Sequence, residues 1–96
     1  MSTEAARLDG RAILRFAPHA RFRFDEVRQA WVVLFPERLL LPDEQAVAVL
    51  RLVDGGRNAD AIIDALSQQY EAPREVIATD VLAMLQDLAD KKVLRE

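Results

Sequence analysis

The chain has no cysteine and only one histidine among its 96 residues. Without cysteine, disulfide scaffolds, thiolate catalysis, zinc fingers and iron–sulfur ligation are excluded. A transition-metal site usually needs several His or Cys ligands, and a hydrolase nucleophile needs a base beside it. The single histidine, His19, is far in sequence from the hydroxyls of Ser67 and Thr79. These absences predict a protein that is not an enzyme and holds no metal or other cofactor.

Long hydrophobic runs and a targeting segment are also missing. The longest apolar runs, such as 31–35 and 39–41, are far too short to span a bilayer. The polar first seven residues lack the apolar core of a signal peptide. We therefore expect a cytoplasmic protein with no membrane partner. Residues 1–11 show no period and are predicted to be a flexible arm, whereas residues 12–96 are predicted to form one domain.

Apolar residues recur with period two from Ala20 to Leu41. This period predicts three short strands, separated by the polar stretch 25–29 and by Pro36. The strand signals are followed by a helical period. Strands followed by helices indicate an α+β fold, a small three-stranded antiparallel sheet followed by three helices, and resemble a winged helix-turn-helix.

The helical half of the chain carries its own start and stop signals. The first predicted helix is opened by Pro42 or Asp43 and ended by the Asp54-Gly55-Gly56 run. Asn58 is expected to cap the second helix, and Pro73 to be the first residue of the third.

The distribution of charge argues against nucleic acid as a partner. Residues 1–38 hold seven basic and five acidic groups, whereas residues 39–96 hold six basic and eleven acidic groups. The third predicted helix has no basic residue between Arg74 and Lys91, so a helix in the DNA-reading position would repel phosphate. We expect no nucleic-acid partner, and an acidic winged-helix DNA-binding regulator stays the alternative function.

Apolar side chains are more numerous than one sheet face and three helices require. The second predicted strand is apolar on both faces, and the third, Arg38 to Leu41, is a short apolar edge of the kind that accepts an added strand. The third helix carries two adjacent apolar stripes, which are Ile77, Val81, Met84 and Leu88, and Ala78, Leu82, Leu85 and Ala89. One stripe can pack on the core while the other lines a groove. Ordinary core packing and a homodimer contact remain open as alternatives.

Several segments together resemble the PqqD family of pyrroloquinoline quinone (PQQ) biosynthesis. The matching segments are Arg21-Phe22-Arg23-Phe24-Asp25, Arg28, Trp31 to Arg38, Asp43 to Ala46, Val49-Leu50, Val53-Asp54-Gly55, Asp80-Val81, Leu85 and Leu88 to Lys91. They extend over about residues 13–95, and their order and spacing carry the resemblance more than any single motif.

The resemblance implies a recognition element for a ribosomally made precursor peptide. A PqqD protein would bind the peptide PqqA and present it to PqqE, a radical S-adenosylmethionine enzyme that cross-links a glutamate and a tyrosine of the peptide. The peptide would add as a strand beside the third strand and lie against the third helix. The positions so implied are Arg38, Leu39, Leu40 and Leu41 with Val81, Met84, Leu85 and Leu88, and Ile77 joins them from the same helical stripe.

Two positions depart from the family pattern. Pro42 stands where many relatives have leucine, which is expected to shorten the third strand and remove a donor at its end. Lys92 stands where glycine is usual, so the last helix is expected to end less sharply.

Overall fold

A computed structural model describes residues 7–96, which form five short strands and three helices. The strands are β1 Arg15–Phe16, β2 Arg21–Asp25, β3 Ala30–Phe35, β4 Arg38–Leu40 and β5 Leu94–Arg95, and the helices are α1 Glu44–Leu50, α2 Ala59–Ser67 and α3 Arg74–Asp90. The predicted α+β fold is confirmed. Within the described part of the chain, no helix has the length and apolar character needed to cross a membrane.

The three-stranded sheet has the order β2-β3-β4, with both pairs antiparallel. Because side chains alternate along β3, Val33 points toward the helices and Val32 points to the outer face. Val33 belongs to the main core and has no exposed surface. On the core face of the sheet, Phe22 stacks on Trp31 with ring centroids 4.8 Å apart. The sheet therefore contributes one apolar face to the core.

The helices begin where the sequence signals predict. The side chain of Asp43 accepts a hydrogen bond from the Ala46 backbone N–H, and Asn58 caps α2 in the same way. Pro73 is the N-cap of α3 rather than its first residue. The predicted end of α1 is wrong, because α1 stops at Leu50 and the chain tightens into a turn before Gly55.

The early end of α1 has a tertiary cause. After Leu50 the backbone turns, so that the Gly55 N–H donates a 3.2 Å hydrogen bond to the Leu14 carbonyl. Gly55 has a φ of 78°, which glycine adopts without steric penalty. The contact to Leu14 thus positions the loop before α2.

A second, two-stranded sheet joins the two ends of the described chain, and it was not predicted. β1 pairs antiparallel with β5, with Arg15 opposite Arg95 and Phe16 opposite Leu94. The Ala17 N–H also donates to the Val93 carbonyl at 2.9 Å. The segment from Ala12 to Arg15 alternates between buried and exposed side chains, as a strand packed on a core does.

Part of the predicted N-terminal arm lies outside the described residues, namely residues 1–6. The remainder contacts the helices. The Leu8 N–H donates to the Gln86 side-chain oxygen at 2.8 Å, and the Gly10 carbonyl accepts from the Asp60 N–H at 2.9 Å. These bonds position residues 8–10 against α2 and α3.

The C-terminus of α3 ends sharply, so the prediction of a less sharp end is wrong. Lys92 adopts a φ of 69°, in the region that glycine favours. The Val93 N–H donates to the Leu88 carbonyl and the Lys92 N–H to the Ala89 carbonyl, both at 3.0 Å, which is the Schellman pattern. The His19 Nε2–H donates to the Lys92 carbonyl at 3.1 Å and supports this turn.

Candidate functional site

The outer edge of the sheet at β4 has no strand beside it among residues 7–96. On its other side β4 pairs with β3, with Leu40 opposite Val33 and Leu39 opposite Leu34. The connection from β3 spans only two residues and ends in Glu37, whose φ is 62°. This tight connection fixes the register, and the outward backbone groups of β4 are available to another strand.

Neighbouring side chains of β4 point to opposite faces of the sheet. Leu40 is half-buried and packs against the core beside Val33. Leu39 pairs with Leu34 on the outer face and is 37% exposed. Arg38 shares the face of Leu40 by alternation, and its guanidinium lies 5.8 Å from the centre of the Phe35 ring.

The two predicted apolar stripes of α3 do not divide into a core side and a groove side, because both contribute buried residues. Val81, Leu85 and Leu88 are buried in the main core, and Leu85 has no exposed surface. Met84 packs against the same core but is only half-buried. Because successive residues of a helix are 100° apart, Met84 reaches the surface while Leu85 faces the interior.

A groove of about 290 Å³ lies between β4 and α3, and we call it the strand–helix groove. Its strand side is formed by Leu40 and Leu41, and its helix side by Met84 and Leu88. Its other lining residues are Val33, Pro42, Asp43, Ala46, Leu50, Asp87 and Lys91. The groove therefore has apolar walls beside a free strand edge, as peptide-binding sheet edges do.

A second cavity of about 170 Å³ continues along the N-terminal half of α3, and we call it the N-terminal pocket. Met84 lines both the groove and the pocket, so one side chain stands at their junction. The remaining lining residues are Gln45, Ala48, Val49, Leu66, Tyr70, Ala72, Val76, Ile77, Asp80 and Val81. Most of these side chains are apolar.

The charges of the groove are partly paired within the protein. Lys91 Nζ lies 2.8 Å from Asp87 Oδ2, one helical turn away on α3. The Asp43 carboxylate caps α1, so its charge is directed at backbone N–H groups. The walls of the groove are therefore apolar, and its charged residues are two acidic groups and one basic group.

The two carboxyls with shifted pKa values lie at the end of β2 and in the loop after α1, outside both cavities. The Arg28 side chain, with backbone N–H groups, lowers the pKa of Asp25. Backbone N–H groups of Arg57 and Gly56 lower the pKa of Asp54 after α1. These carboxylates hold turns in place, which is a structural role.

The structure places six of the nine predicted site residues in the two cavities and leaves three outside them. Leu40, Leu41, Met84 and Leu88 line the strand–helix groove, and Ile77, Val81 and Met84 line the N-terminal pocket. Leu39 lies on the outer face of the sheet, and Leu85 is enclosed in the core. Arg38 is at the start of β4, near the hairpin tip.

Sequence reasoning missed several residues that line these cavities. Ala46 and Pro42 reach the groove because α1 starts directly after β4, a packing that periodicity alone does not show. Tyr70 and Val76 flank the N-terminal pocket from either side of the Pro73 connection. Spacing along α3 could have indicated the helix side, since positions 80, 84, 87 and 91 fall on one stripe.

Comparison with known proteins gives one consistent family. Residues 30–94 match the family model described as coenzyme PQQ synthesis protein D (PqqD). A protein of Rhodopseudomonas palustris strain TIE-1 named PqqA binding protein is 62% identical over 78 residues, which cover 81% of this chain and 76% of the relative.

Two solved structures agree with the sequence matches. The first is the solution structure of the PqqD part of Methylobacterium extorquens PqqCD, which is described as a stand-alone recognition element for ribosomally synthesized and post-translationally modified peptides. Its sequence is 44% identical to this chain, and its fold matches with a TM-score of 0.76. The match covers 92% of this chain and 94% of that one. The crystal structure of PqqD from Xanthomonas campestris is 31% identical with a TM-score of 0.59, covering 83% and 89% of the two chains.

Proposed function

The chain belongs to the PqqD family, and from that premise we propose that it binds the precursor peptide PqqA in PQQ biosynthesis and presents it to the radical S-adenosylmethionine enzyme PqqE. The observation that carries the proposal is the free edge of β4 beside the strand–helix groove. The names of the relatives, PqqA binding protein and a functional stand-alone recognition element, support the same role.

The guest peptide adds to β4 as a fourth strand of the sheet. Strand addition uses the backbone of the guest for register and alternate side chains for specificity. The inward side chains of the guest lie over Leu40, Met84 and Leu88, and the outward ones continue the outer face of the sheet beside Leu39. Every second residue of the guest is thus held, and the others remain accessible to an enzyme.

The short edge requires the groove to supply most of the affinity. β4 is three residues long, so a guest strand gains only a few backbone hydrogen bonds. Each contributes about 1 kcal/mol net, whereas a micromolar complex needs about 8 kcal/mol. Burial of apolar guest side chains in the groove contributes about 25 cal/mol per Å² and makes up the difference.

The role is one of binding without chemistry. PqqE would perform the cross-linking, and this chain would supply the orientation of the peptide. Self-association through the β4 edge would compete with the guest, so a homodimer of that kind would dissociate when PqqA binds. The exposed acidic residues of α3, Glu75, Asp80 and Asp90, favour a peptide over a nucleic acid as the partner of this helix.

The test uses two adjacent leucines of β4 that differ in the face they present. Leu40→Asp places a carboxylate in the groove, whereas Leu39→Asp makes the same change on the outer face. In a titration of labelled PqqA followed by fluorescence anisotropy, we expect Leu40→Asp to weaken binding by about tenfold or more and Leu39→Asp by less than about threefold, tenfold being 1.4 kcal/mol. Melting curves show whether both variants are folded at the assay temperature.

Nuclear magnetic resonance locates the PqqA-binding site without the use of a variant. Addition of PqqA to the ¹⁵N-labelled protein should shift amide signals of residues 38–41 and 77–88. Shifts confined to β1, β2 or the outer part of α2 would refute this binding site. Presentation is tested by asking whether PqqE modifies PqqA more slowly when wild-type protein is replaced by the Leu40→Asp variant.

A further inference from the structure

The groove-facing stripe of α3 carries one charge that the protein leaves uncompensated. Positions 80, 84, 87 and 91 follow one another on this stripe. Asp87 and Lys91 form an ion pair with each other. The carboxylate of Asp80 lines the N-terminal pocket and has no ion pair or hydrogen bond among residues 7–96.

The pocket beside Asp80 has the size of one side chain. Its volume is about 170 Å³, and a cavity of about 150 Å³ in another protein accepts benzene. Val76 and Tyr70, which stand at its walls, are 50% and 46% exposed. Large apolar side chains left open around a concave space lose contact with water when a ligand fills that space.

The pocket adjoins the strand–helix groove at Met84. Met84 lines both cavities, and α1 forms the opposite side of each, with Ala46 in the groove and Ala48 in the pocket. β4 ends at Leu40. A guest that pairs with β4 and continues beyond the end of this strand would reach the pocket and Asp80 by passing over Met84.

We propose that the part of the guest peptide lying beyond the paired strand inserts one apolar or aromatic side chain into the N-terminal pocket and places a cationic group beside Asp80. The cation is a lysine or arginine side chain or the amino terminus of the peptide. This inference rests on the proposed function and adds a second anchor to it, with an apolar part and a positively charged part.

The role of the Asp80 charge is tested by reversing it and by making the same charge reversal at a control position. Asp80→Lys and Glu26→Lys each change the net charge by the same amount, and Glu26 lies in the β2–β3 turn, away from both cavities. At low salt we expect Asp80→Lys to weaken PqqA binding by about tenfold and Glu26→Lys by less than about twofold, since rim charges act locally and are screened by salt.

The guest partner of Asp80 is found by a double-mutant cycle. PqqA variants are prepared in which each Lys or Arg in turn is replaced by Gln, together with a peptide acetylated at its amino terminus. We expect one of them to bind wild-type protein more weakly and to show no further loss with Asp80→Lys, because the interaction is already absent. Additivity for every cation would overturn the charged part of the inference.

The apolar part is tested without a change in charge. Val76→Asn places an amide in the wall of the pocket, and Thr79→Asn is the control, at an exposed position of the same helix that lines neither cavity. We expect only Val76→Asn to weaken binding, by about fivefold. Equal affinities would overturn the pocket while leaving the groove intact, whereas failure of wild-type protein to bind PqqA would overturn the proposed function and this inference with it.

Discussion

Met84 and Leu85 are adjacent in the chain, but α3 directs one to the junction of the two cavities and the other into the core. Replacement of each by alanine should therefore separate binding from stability. Leu85 has no exposed surface, and a buried leucine replaced by alanine costs about 2–5 kcal/mol. Since a domain of this size has about 5–15 kcal/mol in total, Leu85→Ala removes a large share of the folding free energy.

The burial of each residue also gives the expected change in melting temperature and in PqqA affinity. At roughly 4–8 °C per kcal/mol for a small domain, Leu85→Ala should lower the melting temperature by about 10 °C or more. Met84 is half-buried, so Met84→Ala should cost only about 1 kcal/mol of stability. Loss of its contacts with the guest should weaken PqqA binding by about 5- to 30-fold, or about 1–2 kcal/mol.

The assay combines thermal melting by circular dichroism with fluorescence anisotropy of labelled PqqA, well below the lowest melting temperature. Under those conditions the folded fraction of Leu85→Ala binds nearly as well as the wild type. The opposite pattern, in which Leu85→Ala weakens binding while folded and Met84→Ala does not, would refute the assignment of the two faces of α3.

Three further predictions concern the scaffold. Lys92→Gly should raise stability by up to about 1 kcal/mol in denaturant unfolding, because glycine adopts the positive φ at the end of α3 without steric penalty, and a loss of stability would contradict this cause. Gly10→Ala should lower the melting temperature, because a Cβ atom at Gly10 would overlap the Asp60 carboxylate, and an unchanged melting temperature would show that the Asp60 side chain rotates away without cost. Asp25 has a pKa below its ordinary 3.8, chiefly because the Arg28 side chain donates a hydrogen bond to it, so its stabilising effect is present above that pH and is lost as the pH falls through the lowered value. The melting temperatures of wild type and Asp25→Asn should therefore converge toward pH 2. A difference in melting temperature that does not change with pH would contradict the link between Asp25 ionisation and stability.

Local signals in the sequence predicted the elements that depend on local chemistry. The period of two from Ala20 to Leu41 and the caps at Asp43 and Asn58 are determined by neighbouring residues, and all three appear in the structure. The prediction of where α1 ends was wrong, because the distant Leu14 carbonyl accepts a hydrogen bond from the Gly55 N–H. Such a contact leaves no trace in a local pattern.

The candidate site was predicted as a region but not residue by residue. Strand alternation could have shown that Leu39 and Leu40 face opposite ways. The distinction between Met84 and Leu85 required knowing where the sheet lies relative to α3, because both residues sit on apolar stripes of the helix. The N-terminal pocket depends on three helices meeting around Tyr70 and Val76, which no single period indicates.

The pairing of β1 with β5 has a consequence for how the chain folds. Arg15 and Arg95 are neighbours in this ladder although they are 80 positions apart in the chain, and contacts of such high sequence separation slow folding. During synthesis β4 emerges well before α3, so its open edge exists before the helix that forms the other side of the groove. The fold is complete only when β5 can pair with β1, and until α3 has formed the apolar face of the sheet beside β4 is open to non-specific association.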